Sequence, residues 1–147
     1  MLKKPALYFA HETTADFVAA TGQPAWVAAA TRGARVEMQP LSTLSRRRIL
    51  QQALRHEMAH VFVSALSRDR APRWLTEGLA AHFAGEGQQF ARHAPPTKLS
   101  LDELEARLAR PAAASETRAL YAAAYREVAA LVRAEGEPSL WRRAARS

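Results

Sequence analysis

No cysteine occurs in the chain. Disulfides are therefore excluded, and any structural metal must be held by histidine and carboxylate side chains. No apolar run approaches the length needed to span a bilayer, so no membrane span is expected. After Met1-Leu2-Lys3-Lys4-Pro5, only Ala6 to Ala10 precede His11-Glu12, which is too short for the core of a signal peptide. There is no internal repeat and no linker, so residues 1–147 are expected to form one domain with a genuine core. At 48% hydrophobic and 24% charged the composition is globular rather than disordered. Acidic residues are in the minority: 14 Asp and Glu against 21 Lys and Arg leave a net charge of +7. Basic surfaces attract nucleic acid or anionic envelope polymers, and arginines cluster at Arg46-Arg47-Arg48, at Arg68, Arg70 and Arg73, and at Arg142, Arg143 and Arg146. Yet no helical stretch interleaves basic with aromatic residues and no known nucleic-acid module is visible. These arginines read as a solvated face, and nucleic acid is not the expected partner.

What is present is His56-Glu57-Met58-Ala59-His60, an HExxH motif within a stretch that reads as one helix. Residues four apart share a helix face, so His56 and His60 can offer ring nitrogens to one metal ion. Glu57, one step round, can reach a water on that ion without being used as a ligand. Chance alone places such a motif in about one shuffled chain in a hundred, so the motif needs context. The context is Pro72-Arg73-Trp74-Leu75-Thr76-Glu77-Gly78-Leu79-Ala80. Catalytic zinc takes three protein ligands and a water. A second helix starting near Trp74, packed antiparallel to the first, would turn Glu77 back towards the histidine pair as the third ligand. As alternatives, Glu77 could serve as an acid near a helix N-terminus, and another divalent metal could take the site. His11, His82 and His93 have no ligand spacing to the motif, and Glu127 is a candidate for supporting a zinc histidine from behind.

HExxH followed by W-L-x-E-G-L-A resembles the gluzincin metallopeptidases, specifically the small bacterial peptidase MA-like domains. The resemblance extends to Leu99-Ser100-Leu101-Asp102-Glu103-Leu104 and to the tyrosine-bearing Leu120-Tyr121-Ala122-Ala123-Ala124-Tyr125. It implies a zinc metallopeptidase with Zn2+ on His56, His60 and Glu77, Glu57 as general base, and a peptide or protein as substrate. It also implies a tyrosine donor for the oxyanion: Tyr121 stands at the family's position, with Tyr125 the alternative one turn on. No GxMEN-type motif for recognising a substrate amine is present, so exopeptidase specificity is not implied. The resemblance leaves the compartment open between bacterial cytoplasm and envelope, and the sequence is compatible with a piece of a longer protein. Two other function classes stand beside the peptidase. One is a zinc site kept for binding or regulation, against which an intact Glu57 argues. The other is a basic interaction module.

The expected fold is a mainly helical α+β domain, small and zincin-like, with a short N-terminal strand layer packed on the HExxH helix. Ala6–Ala10 and Trp26–Ala30 are strand-like. Thr13 or Thr14 caps a helix ending at Gly22, and Gly33 offers a turn. Residues 34–38 alternate as a half-buried strand should. Arg35 to Gln39 is expected as the edge strand beside the cleft, positioned to hold an extended peptide by strand addition. The zinc helix is expected from Leu44 to Leu66 with Ser42 or Ser45 as cap, and the second helix from Trp74 to Ala84, stopped by Gly85-Glu86-Gly87. Gln88–Thr97, with Pro95-Pro96, reads as a loop. A short helix from Ser100 or Asp102 ends before Pro111, a long one runs from Ser115 to Ala134, and a last turn holds Leu140 and Trp141.

Overall fold

A computed structural model describes residues 6–93, 98–110 and 113–147. The expectations for Met1–Pro5, Pro95-Pro96 and Pro111 lie outside the described residues. The protein is mainly helical α+β, with eight helices and a three-stranded mixed sheet near the N-terminus among the described residues. In chain order the elements are β1 (Leu7–Ala10), α1 (Thr14–Thr21), β2 (Ala29–Arg32), β3 (Arg35–Met38), α2 (Leu41–Arg46), α3 (Leu50–Ser67), α4 (Arg73–Ala84), α5 (Gly87–His93), α6 (Leu101–Ala109), α7 (Ala114–Glu135) and α8 (Glu137–Ala145). None of these helices is long and apolar enough to cross a membrane.

The sheet order is β1-β3-β2, so β3 is central. This corrects the expectation that Arg35–Gln39 forms the edge beside the cleft. The reason is local. A two-residue turn with Gly33 at φ 61° folds β2 antiparallel onto one side of β3. The crossover through α1 brings β1 parallel onto the other side. The alternation itself holds, with Val36 and Met38 buried and Arg35 exposed. The second strand is also displaced from Trp26–Ala30 to Ala29–Arg32, because a Pro24–Val27 turn removes Trp26 from it. Gln39 is buried yet satisfied: its amide donates to Ala25 O and Val27 O and accepts from the Thr14 hydroxyl.

The HExxH stretch does not run unbroken from Leu44. Leu44 is fully buried in a cluster with Val36, Met38, Ala53 and Val61, and Ile49 and Leu50 pack against the same cluster. The chain breaks between α2 and α3, with Arg48 at φ 55°, and both apolar ends reach that core. Neither Ser42 nor Ser45 caps α3, whose N-cap is Ile49 without a side-chain bond. The Thr13 side chain caps α1 and Ser100 caps α6 in a reciprocal box with Glu103. Gln88–Thr97 is not a loop throughout, since residues 87–93 form α5, which packs on α7. The last turn is a helix, α8. Its Pro138 sits in the first turn, where a missing N–H costs nothing, and Leu140 and Ala144 are buried.

A second core gathers Val63 of α3, Trp74, Leu75 and Leu79 of α4, Leu104 of α6, Ala124 and Val128 of α7, and Leu140 of α8. Helix α3 therefore lies between two cores, Ala53 and Val61 facing the sheet and Val63 facing the helices. The N-terminus of α4 has no side-chain N-cap of its own. Its Arg73 and Trp74 amides donate to the Glu105 carboxylate of α6 at 3.0 and 3.1 Å, satisfying two orphan donors. Helices α4 and α7 touch at Gly78. A Cβ there would stand 2.4 Å from Val128 Cγ2 and 2.5 Å from the Ala124 carbonyl oxygen. Gly78→Ala is accordingly expected to lower stability by about 1–3 kcal/mol through overpacking. Urea denaturation checks this, and an unchanged midpoint would contradict the contact.

Candidate metal centre

His56 and His60 stand on one face of α3 with their Nε2 atoms 3.1 Å apart. Glu77 enters from α4, its Oε2 3.3 Å from His56 Nε2 and 3.4 Å from His60 Nε2. These are the three donors, within 4.8 Å of one another, that could hold an ion. Bonds of about 2.0–2.1 Å from a tetrahedral zinc would set neighbouring nitrogen and oxygen donors about 3.3–3.4 Å apart. The observed triangle has that size. Glu77 Oε2 is moreover buried with no hydrogen-bond partner among the described residues. With both imidazoles neutral and their Nε2 lone pairs turned inward, that oxygen would be buried and unpaired, which is costly in a protein interior. A proton on a ring or a cation at the centre of the triangle removes that cost. The donor set therefore fits zinc.

The electrostatics agree with the geometry. In the metal-free protein, burial acts to lower the His56 pKa, but the carboxylates of Glu77 and Glu86 outweigh it and raise it well above the ordinary value. His60 is likewise raised against burial, chiefly by Glu77. Burial acts to raise Glu77, yet His60 and His56 hold its carboxyl far below the usual carboxylate range. A field that draws protons onto two buried imidazoles is a field that favours a cation.

Glu57, beside the pair and only 7% exposed, accepts a hydrogen bond at Oε2 from the Thr31 hydroxyl of β2. One carboxylate oxygen is thus tethered to the edge strand. Tyr8 of β1 is in register with Val36, which pairs in turn with Thr31, so all three share a sheet face. Its phenol pKa is raised by burial and by the charge of Glu57.

The structure separates the two candidate tyrosines. The Tyr121 ring stacks on His56 at 6.3 Å between centroids and 27° between planes, and Phe90 meets it edge-on at 5.9 Å. Its phenol pKa is pushed well above the ordinary value, first by the charge of Glu77, then by burial, Glu57 and Glu86. Tyr121 therefore stays protonated and able to donate. Tyr125 instead packs against Gly87 and accepts from the Gln88 amide at 3.4 Å, away from the histidines.

Glu127 does not support a zinc histidine. It is exposed on α7, and no hydrogen bond joins it to either one. The support comes from Glu86, whose Oε1 lies 2.6 Å from His56 Nδ1. A carboxylate only accepts, so Nδ1 carries a proton, which leaves Nε2 as the nitrogen whose lone pair a metal in the donor triangle would take. In the sequence Glu86 sits inside a glycine stop, where the only signal was the helix end. His11 pairs with Glu37 and His82 with Glu137, each at 3.2 Å, and both are structural contacts outside the triangle. Compared with known proteins, the chain matches no family model, no curated protein and no solved structure.

Proposed function

We propose that this chain is a zinc-dependent metallopeptidase of the gluzincin, peptidase MA-like kind, built on a zincin-like fold. The observation that carries the reading is the convergence of His56 Nε2, His60 Nε2 and Glu77 Oε2 with Glu57 beside them. His56, His60 and Glu77 hold the ion. When bound, zinc lowers the pKa of water towards neutrality and polarises a carbonyl. Glu57 takes the proton of the attacking water and passes it to the leaving amine. Its bond to Thr31 keeps the carboxylate from rotating away from that task. Tyr121 donates its phenol proton in a hydrogen bond to the oxyanion that develops on the scissile carbonyl. Strand β2 supports an extended peptide substrate: it is an edge strand, and its own Thr31 touches the base. A peptide adding to that edge would lie beside Glu57.

The test is metal content of the purified protein by mass spectrometry, wild type beside His60→Ala and Glu77→Ala. Wild type is expected to carry about one zinc per chain and both variants to lose it. A wild type that takes up no metal when zinc is supplied would overturn the reading and leave the basic surface as the better lead.

A further inference from the structure

We infer that Glu86 is a positioning residue for the metal centre, set in place by the two glycines that flank it. The inference rests on the metal-site reading above. Helix α4 ends at Ala84, and Gly85 at φ 73° reverses the chain. The Gly85 amide donates to His82 O and the Glu86 amide to Ala81 O, which closes the helix and locks the turn. On the other side, a Cβ at Gly87 would lie 2.0 Å from two ring carbons of Tyr125, so only glycine lets the start of α5 come this close to α7. Between these two backbone constraints the Glu86 carboxylate reaches His56 Nδ1 at 2.6 Å, the length of a charge-assisted bond.

The contact is not an ordinary surface ion pair. The His56 and Glu86 side chains are mostly buried, at 11% and 19% exposed. It acts on the metal through His56 in two ways. It fixes the ring's rotation so that Nε2 faces the triangle, and it holds the proton on Nδ1, which makes Nε2 the more basic donor. The same segment continues into α5, where Phe90 backs Tyr121. One glycine-flanked turn therefore positions a ligand and its stacked phenol together, although neither the HExxH nor the W-L-x-E-G string contains any of it.

The experiment measures zinc affinity by competition with a chromophoric chelator for wild type, Glu86→Gln and Gly87→Ala. Nitrogen NMR of the His56 ring in the zinc-bound wild type accompanies it. Glu86→Gln is expected to weaken zinc binding about 10–100-fold while keeping the side-chain length. Gly87→Ala should weaken it in the same direction with the carboxylate intact, because the turn must shift away from Tyr125. The zinc-bound wild-type ring is expected to carry its one proton on Nδ1, facing Glu86, with zinc on Nε2. Zinc on Nδ1 with the proton on Nε2 in the wild-type ring would overturn the inference without any variant, so a variant that fails to fold does not rescue it. Zinc affinity unchanged in Glu86→Gln would overturn it as well, while leaving the peptidase reading intact. A wild type that binds no zinc sinks both, which sets failure of the metal-site reading apart from failure of the role given to Glu86.

Discussion

Glu57→Gln is expected to cut peptide hydrolysis by about 10²–10⁴-fold while leaving zinc content at the wild-type level. The substitution is nearly isosteric. Its amide oxygen can still accept from the Thr31 hydroxyl, so the link to β2 survives. What disappears is the capacity to take a proton from water. Because Glu57 is not among the three convergent donors, the ion should be retained, and loss of rate with retained metal identifies a base rather than a ligand. Single-turnover cleavage of a fluorogenic peptide library, with metal analysis on the same samples, checks this. A variant that cleaves at the wild-type rate would place the base elsewhere, and one that loses zinc would make Glu57 part of the ligand shell.

Tyr121→Phe is expected to lower kcat by about 10²–10³-fold with KM and zinc content unchanged, since an oxyanion donor works only as the transition state forms. The ring remains, so stacking on His56 and the edge contact with Phe90 persist. Tyr125→Phe is the internal comparison. It removes only the acceptor for Gln88, at 3.4 Å, and should leave kcat within about twofold, as expected of a surface substitution away from the site. The reverse ranking would assign the donor role to Tyr125. Equal, small effects would leave the oxyanion without a tyrosine partner.

How much of this was legible depended on how far each feature relies on local geometry. The His56–His60 pairing follows from the helix repeat alone, and the structure brings their Nε2 atoms to 3.1 Å. Glu77 required one further step, a chain reversal after α3, and a ligand count supplied the motive for it. Glu86 could not be reached this way. Its contact spans 30 residues and depends on the left-handed turn at Gly85, so a glycine stop reads only as an ending. The strand alternation of residues 35–38 told which side chains are buried but not which strand is central, because pairing order is decided by the hairpin at Gly33 and the crossover through α1. The break before α3 is not visible in the sequence for a similar reason. Leu44 and Ile49 keep an apolar spacing a helix tolerates, yet a shared core draws them to one place. Residues 87–93 form a helix because Phe90 finds Tyr121 on α7, a partner that no local pattern names.

The placement of α3 between two cores divides the site's labour along a seam. The base is anchored to the sheet through Thr31, whereas Glu77, Glu86 and Tyr121 all arrive from elements of the helical side. The histidine helix is the common rail on which both halves ride. Glu57 rides on that rail with the histidines, so sliding the sheet half would draw Thr31 away from its carboxylate and free that side chain to rotate, without breaking a contact inside either half. Catalytic rate could then be detuned while metal affinity stays constant, and substitutions at the sheet–helix seam are where that uncoupling would first be found.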